Sequence, residues 1–204
     1  MNRRNLLQAI ALLPVLPVAL SLPAAAQGVD VSAIDRYLRG LRSAEGRFTQ
    51  RNPNGSIQTG RFMLQKPGRI RFEYDRPEGA MVLSDGSFVG VFDPRSNRNP
   101  TRYPLSRTPL RLLLQEDLSL REPGMVLGAT RDEGGTHVTV TDPRRPQEGR
   151  IRLSFSEDPV SLTGWVVTPA NRQQTAVTIN SMQTGVQLDR SLFNIEREAV
   201  RYRW

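Results

Sequence analysis

Residues 61–74 read RFMLQKPGRIRFEY, two short runs joined at Lys66-Pro67-Gly68. Apolar residues fall on alternate positions: Phe62 and Leu64 in the first run, then Ile70, Phe72 and Tyr74 in the second. Arg69, Arg71 and Glu73 take the opposite parity. Period two is the spacing of a β-strand with one covered face, and Pro-Gly suits a tight reversal. The stretch therefore predicts a hairpin with one apolar side. Lys66, the only lysine in the chain, has the parity of Phe62 and Leu64 and points toward that side.

The same pattern continues on both sides of the hairpin. Strands are expected at 46–51, 56–66, 69–75, 80–84 and 87–93, separated by turn-forming groups such as Asn52-Pro53-Asn54-Gly55 and Asp85-Gly86. Residues 95–106 read as a polar loop. Strands resume at 125–130, 136–141, 150–156, 162–168 and 174–182, with a short one around Phe193. Two or three short helices are expected, two of them placed by the sequence. In VDVSAIDRYLRGLRS, Val31, Ile34, Leu38 and Leu41 recur at helical spacing, with Ser32 as N-cap and Asp35 as a capping-box partner. In TPLRLLLQEDL, Thr108 is the expected N-cap and Pro109 the first helical residue. Leu110, Leu112, Leu113 and Leu114 cover much of that helix, so something must cover them, and Arg111 is expected to face solvent or a partner. The fold class is mainly β (α+β): a curved antiparallel sheet or incomplete barrel of about eleven strands, with short helices on one side.

Positions 1–26 combine Arg3-Arg4, an apolar run and Ala24-Ala25-Ala26, the pattern of a cleaved secretory signal. Pro14, Pro17 and Pro23 interrupt the run and argue against a retained membrane anchor. Arg3-Arg4 followed by Asn5, Leu6 and Leu7 leaves the Sec and twin-arginine routes both open. Cleavage after Ala26 leaves one domain, 27–204, and lowers the formal charge from +8 to +6. The chain has no cysteine, hence no disulfide, thiolate metal site or lipid-modified N-terminal cysteine. The arginines are scattered and form no basic block, so nucleic-acid binding is not expected.

Catalytic signatures are sparse. His137 is the only histidine and alternates with Val138 as a surface strand residue would. There is no G-x-S-x-G, Walker or dinucleotide motif. Glu116-Asp117, Asp132-Glu133 and Glu157-Asp158 fall at expected turns or helix ends. No metal, no cofactor and no enzyme activity are expected. A hydrolase remains the rival reading, to be revived by turnover that depends on His137 or a carboxylate.

An ordered series of short motifs resembles the periplasmic outer-membrane lipoprotein carriers, the LolA-type chaperones. It comprises Phe48-Thr49-Gln50, residues 60–67, Arg71-Phe72-Glu73-Tyr74 with Pro77, residues 82–86, Val91-Phe92-Asp93-Pro94 and Thr108-Pro109-Leu110. The resemblance is clear over 30–120 and continues as strand pattern alone. It implies an unclosed β-barrel whose apolar concave face is covered by a helical lid. It also implies a monomeric periplasmic carrier of acylated lipoproteins, loaded by an inner-membrane ABC transporter and unloaded by an outer-membrane receptor. That receptor is itself a lipoprotein of similar fold, so the missing cysteine favours the soluble carrier. On this resemblance Ile70 and Phe72, followed by Phe62, Leu64 and Tyr74, line the cavity. Ile34, Leu38, Leu41, Leu110, Leu113 and Leu114 belong to the lid. Lys66 stands where the family commonly has an arginine that latches the lid to the sheet. The alternatives are an ordinary dry core with permanently packed helices, and a strand-end lysine that reaches solvent. A binder of another apolar cargo such as a glycolipid, or a lipoprotein sensor, would use the same fold.

Overall fold

The structure is a computed structural model that describes residues 30–96 and 99–201. The expected signal segment 1–26 lies outside the described residues, as do residues 202–204. Eleven strands form one antiparallel sheet: β1 (Ser43–Arg51), β2 (Ile57–Gln65), β3 (Arg69–Tyr74), β4 (Met81–Asp85), β5 (Phe88–Phe92), β6 (Thr101–Pro104), β7 (Val126–Asp132), β8 (Gly135–Thr141), β9 (Gly149–Glu157), β10 (Val160–Pro169) and β11 (Thr175–Thr184). The order is β6-β5-β4-β3-β2-β1-β11-β10-β9-β8-β7. The first and last strands of the meander meet in the middle of the sheet, and β6 and β7 are its free edges. Three helices accompany it: α1 (Ser32–Gly40), α2 (Leu110–Leu114) and α3 (Ile195–Arg201).

The hairpin of residues 61–74 has the register its alternation requires. Phe62 pairs with Phe72 and Leu64 with Ile70, while Arg61 pairs with Glu73 and Met63 with Arg71 on the other face. Side-chain packing then curls the sheet. Phe72 on β3 and Trp165 on β10 are four strand steps apart, which on a flat sheet is roughly 19 Å. Their ring centroids lie 6.2 Å apart, so the two wings fold toward each other around one apolar interior without closing at β6 and β7.

The structure departs from the sequence reading at several points. The segment around Phe193 is a 3₁₀ turn (Arg190–Phe193), started by Asp189, whose carboxylate accepts from the Ser191 amide at 2.8 Å. The eleventh strand is instead β6, inside the expected loop. It is an edge strand exposed along its whole length, so no covered face imposes alternation on its sequence. Helices also cover both faces of the sheet. Met81 and Leu83 join Met63 and Phe92 on the outer face under Phe193, Ile195 and Ala199. There the buried Arg71 guanidinium meets Glu73 at 2.6 Å and Glu198 at 3.3 Å, and donates to the Leu192 carbonyl at 2.8 Å. Thus β3 turns Ile70 and Phe72 inward and ties α3 down with the intervening Arg71.

Candidate functional site

The inner face gathers its residues from strands and helices into a single apolar cluster. Phe62, Leu64, Ile70 and Phe72 are buried in it, and Tyr74 is half-buried against it. Ile34, Leu38, Leu41, Leu113 and Leu114 are buried in the same cluster, and Leu110 packs partly buried at its margin. Every residue the sequence reading assigns to cavity and lid therefore meets the others here, in a form where the helices cover the sheet. Phe48 stacks edge-on against Phe72 and Tyr74, with centroids 5.0 and 5.5 Å away. The Tyr74 hydroxyl donates to Gln50 Oε1 at 3.0 Å, and burial pushes its pKa up to about 12, so it stays a neutral phenol.

The polar ties that hold α1 are few. Lys66 Nζ donates to the Leu38 carbonyl oxygen at 2.8 Å. Leu38 lies in the last turn of α1, where carbonyls have no partner within the helix, so the ammonium satisfies an acceptor that is otherwise orphaned. The lysine is only 7% exposed. Burial pushes its pKa down to about 8, Arg42 pushes the same way, and Asp117 opposes them. One turn earlier, the fully buried Asp35 accepts from the Leu120 amide at 2.9 Å and pairs with Arg39 at 2.5 Å. Asp35 is therefore a tether between α1 and the segment that follows α2, in place of the expected capping-box role. The amide of Ser32 is taken by Asp30 Oδ1 at 2.8 Å, and the Val31 N-cap supplies no side-chain cap.

The second helix, α2, ends with the leucine run at Leu114 and does not continue through the rest of TPLRLLLQEDL. Thr108 does not cap it; its hydroxyl donates to the Leu105 carbonyl at 2.9 Å. The Leu114 carbonyl at its end accepts from the Gly68 amide at 2.8 Å, which pins α2 to the β2–β3 turn. Arg111 is not directed to a partner surface. It forms a close ion pair with Asp142 in the β8–β9 connection.

Several contributors escape the sequence reading. Leu118 and Leu120, after α2, are buried in the same cluster. Ile151, Leu153 and Phe155 form the far wall, and their alternation with Arg150, Arg152 and Ser154 was a usable signal. Trp165 packs beside Phe72, and both line a cleft of about 320 Å³ that also touches Tyr74, Val82, Pro109 and Leu110. That volume is at the low end of small-molecule sites, so a larger apolar ligand requires the helices to move. The hydroxyl of Tyr37 on α1 is buried with no hydrogen-bond partner among the described residues. That cost exists only while the helix covers the sheet.

His137 bridges Ser154 Oγ at 2.8 Å and Asp132 Oδ1 at 3.0 Å on the outer face. The residue types are those of a nucleophilic triad. Ser154, however, lies mid-strand in β9, whose backbone is laddered to β8 and β10 on either side. The nearby amides are thereby committed to the sheet and do not converge on an oxyanion position. Among the described residues no group of three or more potential metal ligands occurs, and no helix is long and apolar enough to cross a membrane.

Residues 39–196 match the family described as outer membrane lipoprotein carrier protein LolA. An outer-membrane lipoprotein carrier protein of Xanthomonas oryzae is 38% identical over 66 residues, 30% of this chain and 32% of that protein. The match thus spans about a third of that relative's length. A Pseudoalteromonas translucida protein of the same description is 26% identical over 172 residues, 80% of this chain and 81% of its own. Among solved structures, a Vibrio parahaemolyticus domain described as an outer membrane lipoprotein-sorting protein superposes with a TM-score of 0.50 at 13% identity. It covers 84% of this chain and 98% of that one, a likeness of fold alone.

Proposed function

The chain belongs to the outer membrane lipoprotein carrier protein LolA family, and from that premise we propose that it is a non-enzymatic periplasmic chaperone for acylated lipoproteins. It receives them from an inner-membrane ABC transporter and passes them to an outer-membrane receptor. The observation that carries this reading is the single inner cluster in which the strand residues Ile70 and Phe72 are covered by the short helices α1 and α2.

Burying an acyl chain is worth about 0.8 kcal/mol per CH₂, so an acylated protein does not cross water unaided. A carrier that simply buried the chains in an open apolar trough would hold them too tightly to release. Here the trough is already covered. When acyl chains displace Leu38 or Leu113 from Phe72 and Ile70, one apolar contact replaces another. Only the difference between the two states sets the affinity. The helices suit exchange, because α1 has nine residues and α2 five, lengths that are not stable as isolated helices. Lys66 is the latch in this reading, because it ties the sheet to the end of α1.

The test is capture from solution of one lipoprotein in acylated form and as its unacylated cysteine variant. Retention of the acylated form alone supports the carrier. Equal retention of both, or retention of neither while a glycolipid binds, contradicts it.

A further inference from the structure

One lip of the cleft carries a cluster of arginines that the closed fold does not use. The cleft wall includes Arg107, Pro109 and Pro169. Pro169 also borders a shallow depression of about 230 Å³ lined by Arg150, Arg172 and Leu127. The β8–β9 connection, which holds Arg144 and Arg145, closes on the same place. Arg145 donates to the Ser106 carbonyl at 3.3 Å, and a Cβ on Gly149 would lie 3.1 Å from Pro109. Two carboxylates belong to this rim. Asp142 is occupied by Arg111 and, at 3.4 Å, by Arg145. Glu148 is the other. Arg107, Arg144, Arg150 and Arg172 have no carboxylate partner among the described residues. Arg172 has a φ of +60°, a backbone region that glycine or asparagine occupies at lower cost. Leu127 is 58% exposed in the midst of them.

We infer that this arginine lip docks on an anionic phospholipid surface, with Arg144, Arg150 and Arg172 on lipid phosphates and Leu127 dipping below them. Guanidinium groups bind phosphate oxygens in pairs, and basic residues around an exposed apolar side chain are the makeup of a membrane-surface contact. An acidic protein surface would use the charges and leave Leu127 idle. Docked this way, the cleft opens at the headgroup layer, and acyl chains reach Phe72 and Trp165 without crossing bulk water. That last step rests on the carrier reading; the docking does not.

The experiment is vesicle flotation of the empty protein with phosphatidylcholine vesicles and with vesicles that also contain phosphatidylglycerol. The variants are Arg144→Gln/Arg150→Gln/Arg172→Gln, and Arg36→Gln/Arg190→Gln/Arg197→Gln, which removes the same charge elsewhere. Near an anionic surface each basic side chain contributes several-fold, so the lip variant is expected to lose roughly a hundredfold in partitioning. The wild type and the remote variant float with the anionic vesicles and not with the neutral ones. Absence of flotation with anionic vesicles, or equal loss in both triple variants, overturns the proposal. Because no cargo is present, either result leaves lipoprotein capture to be judged separately.

Discussion

The ammonium of Lys66, at the end of β2, lies 2.8 Å from the carbonyl oxygen of Leu38, in the last turn of α1. One side chain of the sheet thereby satisfies the open end of the helix that covers the sheet, and it does so as the chain's only lysine.

This contact has a pH signature. The buried amine titrates near 8 in the folded protein, against 10.5 for an ordinary lysine. Between those values the unfolded chain binds the extra proton, so stability rises with pH across the window and levels off above it. The total gain is on the order of 3 kcal/mol. Chemical denaturation at pH 7.5 and 10.5 measures it; both values are chosen as roughly bracketing the window. In Lys66→Arg the guanidinium keeps its proton, and that rise is absent. In Lys66→Leu the Leu38 carbonyl loses its donor, and lipoprotein transfer is expected to fall. Unchanged transfer removes the latch role.

Asp35 is the second tie. Asp35→Ala leaves the buried Leu120 amide without its acceptor, a loss of about 1–3 kcal/mol. The denaturation midpoint reads the loss, and faster hydrogen exchange at Leu120 locates it.

Gly68 couples the hairpin turn to α2. Its φ is +76°, and a Cβ there would stand 2.6 Å from the Cα of Gly86, while its amide holds the Leu114 carbonyl. Gly68→Ala is expected to cost more than about 1 kcal/mol and to loosen α2 first. Exchange or proteolysis in residues 110–120 shows whether it does.

Trp165 reports on the cleft. In a Trp204→Phe background its indole, beside Phe72, is the only tryptophan emitter. Acyl ligands are expected to change its emission in a saturable way, and Phe72→Ala to weaken that response. Emission that ignores acyl ligands places them elsewhere.

How far the site could be read in advance depended on which residues have a local pattern. Phe62, Leu64, Ile70 and Phe72 alternate inside one hairpin, and their register follows from that alternation. The far wall alternates as well, but nothing local says that β10, the neighbour of β9, faces β3. That follows from the curl that brings Trp165 to Phe72. The ties were hidden for the same reason. Asp35 is three residues after Ser32, which mimics a capping box, whereas its partner Leu120 is 85 positions away. Arg111 meets Asp142 across 31 positions. β6 lacked a signal altogether, because an edge strand exposed on both faces has no reason to alternate.

The central claim is that Phe72 meets lid helices when the protein is empty and acyl chains when it is loaded. A photoreactive amino acid at position 72, activated in the periplasm of living cells, tests this most directly. The expected result is adducts to acylated lipoproteins, alongside adducts to α1 and α2 from the empty fraction. Adducts to the chain's own helices alone, with lipoproteins present and transport active, would make the inner face a permanent core and contradict the account.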